Sequence, residues 1–413
     1  MRYVIIGNSA AAIGCIEGIR SRDKKGSITV ISKETQHTYS RPLISYLLLG
    51  KTDLERMKYR PDSFYMDKNC KVMLGTEAIK ILTDKKEVLL DNGERVKYDK
   101  LLVATGSNPF VPPIEGVDTA KSVHTFMSLD DALALKSDLT EDSRVIILGG
   151  GLIGLKCAEG ILKSVKKITV IDMADRILPS ILDTEGSAVI QSHLEKKGVE
   201  FLLGNSIAKI EGQKALLKSG ETLKFDSLVI AVGVRANTAL VAEAGGEVKR
   251  GIVTDLSCKT TLPDIYAAGD CSESYDITTE QNRVLALLPN AYMQGEVAGI
   301  NMAGGENAYD SAIPMNAIGF FGLHVLSAGS YEGKAYTAAD ESNYKKLFYK
   351  NNLLNGYILI GNVARAGIYT ALIREKTPLD SIDFELIKDN PQLMAFAHKD
   401  RADLLIKDAL PDA

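Results

Sequence analysis

The chain of 413 residues has no tryptophan, five histidines and five cysteines, and each scarcity excludes something. Cys15, Cys70, Cys157, Cys258 and Cys271 form no CxxC pair, and their spacing suits neither a zinc site nor an iron–sulfur cluster. They read as isolated reduced thiols. The histidines form no HExxH and no cluster with Asp or Glu, so no metal is expected. No apolar run reaches the roughly 18 residues that a membrane helix needs. Only Arg2 and Tyr3 precede VIIG, which reads as a buried strand entering a glycine turn and not as a signal peptide. The expectation is a cytoplasmic protein with no membrane contact. Lys+Arg 49 against Asp+Glu 53 leaves −4, which argues against a nucleic-acid partner.

What is present is repetition. YVIIGNSAAAIGCIEGI (3–19) is an apolar run, a small-residue turn and a helical pattern, followed by a second strand, ITVISKE (28–34). The same order returns in RVIILGGGLIGLKCAEGIL (144–162) and ITVIDMADRIL (168–178). Strand, tight turn, helix and strand make a right-handed βαβ unit, the mononucleotide-binding half of a doubly wound sheet. Hairpins are predicted in KEVLLDNGERVKYD (86–99) and KALLKSGETLKFD (214–226). After residue 305 an antiparallel sheet with a helix over 364–376 is expected, then a polar helical tail. The fold class is α/β: two doubly wound dinucleotide-binding domains plus an α+β C-terminal domain. Their boundaries are 1–110 with 240–308, 111–239, and 309–413.

The first fingerprint is degenerate, with Gly7, Ser9 and Ala12 where GxGxxG has glycines. Gly7 can make the tight turn, and the helix start near Ser9, Ala10 and Ala11 would point N–H groups at a pyrophosphate. Glu34 or Ser32, at the end of the second strand, would take the adenosine ribose, with Glu34 favoured. The second fingerprint is intact: Gly149, Gly151 and Gly154, with Leu152 and Ile153 between the last two. Asp172 follows at close to the roughly 20-residue spacing expected. A carboxylate there accepts from both ribose hydroxyls and repels a 2′-phosphate, so NADH is expected over NADPH.

TTLPDIYAAGDCSE (260–273) ends a strand in Gly269-Asp270, and LLPNAYMQGEVAG (287–299) follows as a helix. With ATGSNP, GGGLIG and VGVRAN in the same order, this closely resembles the FAD- and NAD(P)-binding pyridine nucleotide-disulfide oxidoreductases. The resemblance implies an FAD site at Gly7, Ser9, Ala10, Ala11, Ala12, Glu34, Arg41, Pro42, Ala78, Ala104, Thr105, Gly106, Gly269, Asp270 and Pro289. It implies an NAD site at Gly149, Gly151, Leu152, Ile153, Gly154, Asp172 and Gly233. Asp270 would bond the ribityl chain, and the helix N-terminus at Pro289 would face the flavin's pyrimidine edge.

YSRPLISY (39–46) stands where disulfide reductases carry a CxxxxC pair and NADH oxidases a single cysteine, and it has none. A thiolate relay is therefore not expected. Instead Ser40 can cap the helix, Pro42 suits its first turn, and Arg41 can reach the FAD pyrophosphate. This stretch is similar to that of NADH:rubredoxin reductases and of the N-terminal part of nitrite reductase large subunits. Lys156 departs from the glutamate usual near the nicotinamide. It would pair with a carboxylate or the cofactor's carboxamide, or face solvent. The C-terminal His–Glu pair of disulfide reductases has no match; His398 lacks the pattern.

The resemblance implies hydride transfer from NADH to FAD and onward transfer to rubredoxin, ferredoxin or an iron–sulfur partner protein. Two other readings are an NADH oxidase or peroxidase, and a flavin-bearing interaction protein that responds to NADH. In relatives the C-terminal domain supports a homodimer or partner docking, so the chain is expected as a homodimer or as a subunit of a larger complex.

Overall fold

A computed structural model describes residues 1–396. Arg2–Ile6 is a five-residue strand of which four residues are buried. A run such as VII without polar alternation suits a strand covered on both faces. It sits at the centre of a parallel sheet whose order is Ile265–Ala267, Lys100–Val103, Arg2–Ile6, Ser27–Ser32, Cys70–Leu74. The second parallel sheet repeats the plan: Val199–Leu203, Lys167–Asp172, Arg144–Leu148, Ser227–Ile230, Val123–His124. In both sheets the first strand of the βαβ unit is central.

The crossover helix Ala10–Arg22 is almost wholly buried. It crosses Leu288–Met302 at a distance that only glycine allows. A Cβ on Gly14 would lie 2.2 Å from the Tyr292 carbonyl oxygen, and one on Gly18 2.3 Å from that of Glu296. Reciprocally, a Cβ on Gly295 would lie 2.0 Å from the Ala11 oxygen, and one on Gly299 2.2 Å from that of Cys15. The helices touch backbone to backbone through two Gly-x-x-x-Gly pairs. Ala11, Ala12 and Ile13 below them join one core with Ala268, Ala291 and Ala298.

The predicted hairpins form, as Glu87–Leu90 with Arg95–Lys97 and as Lys214–Leu217 with Thr222–Lys224. Residues 1–180, 191–275 and 281–312 make one compact unit. The other holds, among the described residues, 313–396 plus two short segments, 181–190 and 276–280, that the sequence boundaries assigned elsewhere. Its centre is an antiparallel sheet in the order Met315–Phe320, Leu323–Gly329, Leu353–Ile360, Tyr344–Lys350, Lys334–Ala339. The helix Ala366–Arg374 lies within the predicted 364–376. Segment 181–190 is tied in by Asp183, whose carboxylate accepts from Tyr344 Oη at 2.6 Å and Lys346 Nζ at 2.7 Å. Lys334–Ala339 is an edge strand that sequence reading missed, because KAYTAA lacks an apolar face. Of the expected helical tail the described residues contain the α-helix Phe384–Asp389; His398 lies outside them. Among the described residues no helix is long and apolar enough to cross a membrane.

Overpacking a contact already at backbone distance forces the helices apart, which costs about 1–3 kcal/mol. Gly295→Ala is therefore expected to lower the free energy of unfolding by that amount, with a lower urea midpoint, and to weaken flavin retention. An unchanged midpoint in a urea melt would contradict so close a contact.

Candidate functional site

The two fingerprints build their turns in one way. Gly7 and Gly149 both have φ +117°, which disfavours any side chain, and a Cβ would lie 2.1 Å from the Ala104 oxygen and 2.3 Å from that of Ala231. Each first glycine thus lets its turn press against the end of the neighbouring strand. The helices that follow start at Ala10 and Leu152, with Ser9 and Gly151 extended at their N-caps. Neither helix has a side-chain cap, so its first-turn N–H groups remain available to phosphate oxygens.

At the end of Ser27–Ser32 a narrow cleft is lined by Asn8, Ser9, Ser32, Glu34, Gln36, His37, Tyr39 and Arg41. Glu34 is paired there with the Arg41 guanidinium and accepts from the Tyr39 hydroxyl at 2.7 Å. Arg41 also donates to the Met127 carbonyl at 3.2 Å. Pro42 opens the short helical turn Arg41–Leu43 as expected. Ser40 occupies the cap position, but its hydroxyl makes no capping bond, which corrects the cap read from sequence. Gln36 Oε1 and His37 Nε2 are buried in this region with no hydrogen-bond partner. Buried acceptors of that kind call for a donor.

Gly269 closes against Ala11 and Ala291, and its N–H donates to Gln294 Oε1 at 2.9 Å. Asp270 follows, accepting from Ser107 Oγ at 3.4 Å. Burial raises its carboxyl above the usual carboxylate range, opposed by Ser107 and the Arg41 charge. Pro289 lies in the first turn of Leu288–Met302. Thr105 Oγ1 donates to the Asn237 carbonyl at 2.7 Å, and Asn237 returns a bond to Thr105 O at 2.9 Å. This joins the ATGSNP and VGVRAN turns, whose Gly106 and Gly233 both have positive φ. Ala104 ends this side of the first sheet, whereas Ala78 lies at the start of Ala78–Leu82, buried with Ile81, Val88 and Leu90. Ala78 is not among the residues lining the cleft.

In the second unit of the repeat, Asp172 Oδ2 accepts from Gly150 N at 2.6 Å and Oδ1 from Ala174 N at 2.8 Å. Each oxygen keeps a further lone pair, so the carboxylate is fixed and can still accept from a ribose. Arg176 pairs with its neighbour Asp175.

Lys156 does not face solvent. Its ammonium pairs with Glu159, which is 2% exposed, and stands 4.4 Å above the Tyr46 ring. Tyr46 belongs to Ile44–Leu48, the helix without a thiol, which lies on Leu152–Ile161; a Cβ on Gly160 would be 3.2 Å from Ser45 O. All five thiols are unpaired. Burial raises every one of them, Cys70 to about 11 and Cys258 to about 12. None is an activated thiolate.

These features fit the two cofactors that the fingerprints imply. Asn8, Gln36, His37, Tyr39 and Gln294 are site residues that sequence reading missed. Asn8 and the 36–37 pair carried a signal, since they adjoin the fingerprint glycine and the second strand's end. Gln294 carried none, because its role depends on where two distant segments meet.

Residues 1–295 match the family model described as pyridine nucleotide-disulphide oxidoreductase, and residues 314–377 match the rubredoxin NAD+ reductase C-terminal domain. The chain is 33% identical to the NADH-dependent phenylglyoxylate dehydrogenase subunit epsilon of Aromatoleum evansii, over 92% of each chain. It is 31% identical to a nitrite reductase [NAD(P)H] of Bacillus subtilis, over 92% of this chain but only 48% of that one. Among solved structures, the putidaredoxin reductase–putidaredoxin complex matches with a TM-score of 0.87 at 24% identity, over 94% of this chain and 96% of that one.

Two predictions follow from the site's charges. The native apoprotein holds the Asp270 proton to higher pH than the unfolded chain does. It therefore loses stability as pH rises through the raised pKa, and the whole penalty is present above it. Asp270→Asn should make FAD-stripped protein melt higher than wild type at pH 8, with a difference that shrinks as pH falls, while it binds FAD more weakly. A constant difference across the pH series would refute the burial effect. Asp172→Arg should move the NADPH/NADH ratio of kcat/KM toward NADPH by about tenfold or more. An unmoved ratio would take Asp172 out of the site.

Proposed function

Because the chain belongs to the pyridine nucleotide-disulphide oxidoreductase family, we propose that it is an NADH-dependent FAD reductase that passes electrons to a small redox protein or an iron–sulfur partner subunit. The FAD would lie along the cleft and the Asp270 turn, and NADH along the second fingerprint. When bound, the flavin supplies hydride acceptance and the conversion of a two-electron donor to one-electron acceptors. The chain's own contribution is position: two uncapped helix N-termini hold the phosphates, and Asp172 and Asp270 orient the sugars. The helix Leu288–Met302 brings its positive end to the Asp270 turn, where it favours negative charge on the reduced cofactor.

The observation that carries this reading is the thiol-free helix Ile44–Leu48, packed on Leu152–Ile161, the helix of the second fingerprint. With no activated thiolate near it, the electrons have to leave for an external acceptor. The partner class is supported by the rubredoxin reductase C-terminal match and by relatives that are a dehydrogenase subunit and a nitrite reductase. We place the protein in the cytoplasm, where isolated buried thiols stay reduced, as a homodimer or as a subunit of a larger complex.

The test is anaerobic stopped-flow. The protein is reduced with one equivalent of NADH and mixed with oxidised rubredoxin, with ferredoxin, or with oxygenated buffer. Rapid flavin reoxidation by a redox protein and slow reaction with oxygen are expected. Rapid reaction with oxygen alone would overturn the reading in favour of an oxidase.

A further inference from the structure

We propose that Gln36 and His37 hold the adenosine ribose of the flavin cofactor, and that Glu34 serves instead as the counter-ion of Arg41. The inference rests on the FAD reading above and departs from the carboxylate that the sequence favours.

Glu34 is committed on both oxygens. One is paired with the Arg41 guanidinium and the other accepts from Tyr39 Oη at 2.7 Å. That phenol in turn accepts from Leu129 N at 2.9 Å and from Arg41 Nη1 at 3.3 Å. The carboxylate is the hub of a charge-assisted network that ties residues 34–41 to the turn at 127–129. Each Glu34 oxygen keeps a further lone pair, but a guanidinium, the stronger donor, already draws on the charge that a ribose hydroxyl would share.

The two neighbouring side chains are arranged the other way. The Gln36 amide nitrogen donates to Asp130 Oδ1 at 2.9 Å, which fixes the amide and leaves its oxygen without a partner. His37 Nδ1 lies 3.1 Å from the Thr38 carbonyl, which can only accept. Nδ1 is therefore the donor of that bond, and Nε2 is left buried and unpartnered, an acceptor in the neutral ring. The His37 ring is held against Tyr65, with centroids 5.0 Å apart, and Tyr65 Oη donates to Asn8 Oδ1 beside the fingerprint. Two fixed, unsatisfied polar atoms on adjacent residues suit a vicinal diol, whose two adjacent hydroxyls can each donate. Neither side chain carries a carboxylate's negative charge, so neither repels the pyrophosphate.

The test uses FAD and two analogues whose adenosine lacks the 2′- or the 3′-hydroxyl. Binding to FAD-stripped full-length protein is read as a dissociation constant from flavin fluorescence. Wild type should bind at least one deoxy analogue about tenfold more weakly than FAD. Gln36→Met or His37→Phe should weaken FAD by a similar factor and abolish the discrimination for one of the hydroxyls. Glu34→Gln should retain the discrimination. Retained discrimination in both the Gln36 and His37 variants, or its loss in Glu34→Gln alone, would overturn the assignment. Equal wild-type affinity for FAD and both analogues would overturn the ribose site while leaving the FAD reading intact. No binding of FAD at all would overturn both.

Discussion

The contact between Ala10–Arg22 and Leu288–Met302 sets the distances on which the site depends. Four glycines let two backbones approach to where a methyl group would collide with a carbonyl oxygen. One helix begins at the first fingerprint and the other begins at Pro289. Pressing them together brings both N-termini, and the Gly269 turn against Ala11 and Ala291, into one small region. Two positive helix ends in the same place would repel each other if nothing anionic lay between them. A dinucleotide bound as proposed would relieve that repulsion, with phosphate at one helix end and the flavin ring at the other.

Charge near this region is handled by pairing and burial. Arg41 and Glu34 neutralise each other, Lys156 and Glu159 do the same, and each cation also stands over a tyrosine ring, Tyr39 or Tyr46. Breaking the buried Lys156–Glu159 pair would strand a charge in poorly solvated surroundings. Asp270 has no salt-bridge partner of its own; a 3.4 Å bond from Ser107, its own backbone N–H and the more distant Arg41 charge only partly offset its burial. It is the one charged residue in the predicted flavin contacts whose environment resists ionisation, which is what a group waiting for ribityl hydroxyls should show.

The repeat was legible because its signal is local: an apolar run, a small-residue turn and a helix recur within 20 residues, and those are the features that fix a strand and its crossover. The absence of a thiol at 39–46 was legible for the same reason. Less could be read where function arises from pairing at a distance. Lys156 offered three fates in sequence, and only the fold shows it paired with Glu159 over the Tyr46 ring. An RP turn suggests a cation free for phosphate and says nothing about Glu34 folding back to pair with Arg41. Both Gly-x-x-x-Gly pairs were in view, at 14–18 and 295–299, but neither announces its partner. Segments 181–190 and 276–280 join the C-terminal unit through contacts such as Asp183 with Lys346, which no local pattern encodes.

The two fingerprints differ at one point with a physical consequence. A Cβ at Gly154 would lie 2.0 Å from the Gly149 carbonyl oxygen, so that turn tolerates no methyl group. The first copy carries Ala12 at the equivalent place, fully buried. A helix that carries alanine there needs more clearance from the turn's carbonyl than one that carries glycine. On the opposite side of the same helix, glycines 14, 18, 295 and 299 remove every Cβ from the contact with Leu288–Met302. The first copy thus places its methyl group on the turn side and its glycines on the helix side, whereas the second copy places its glycine on the turn side.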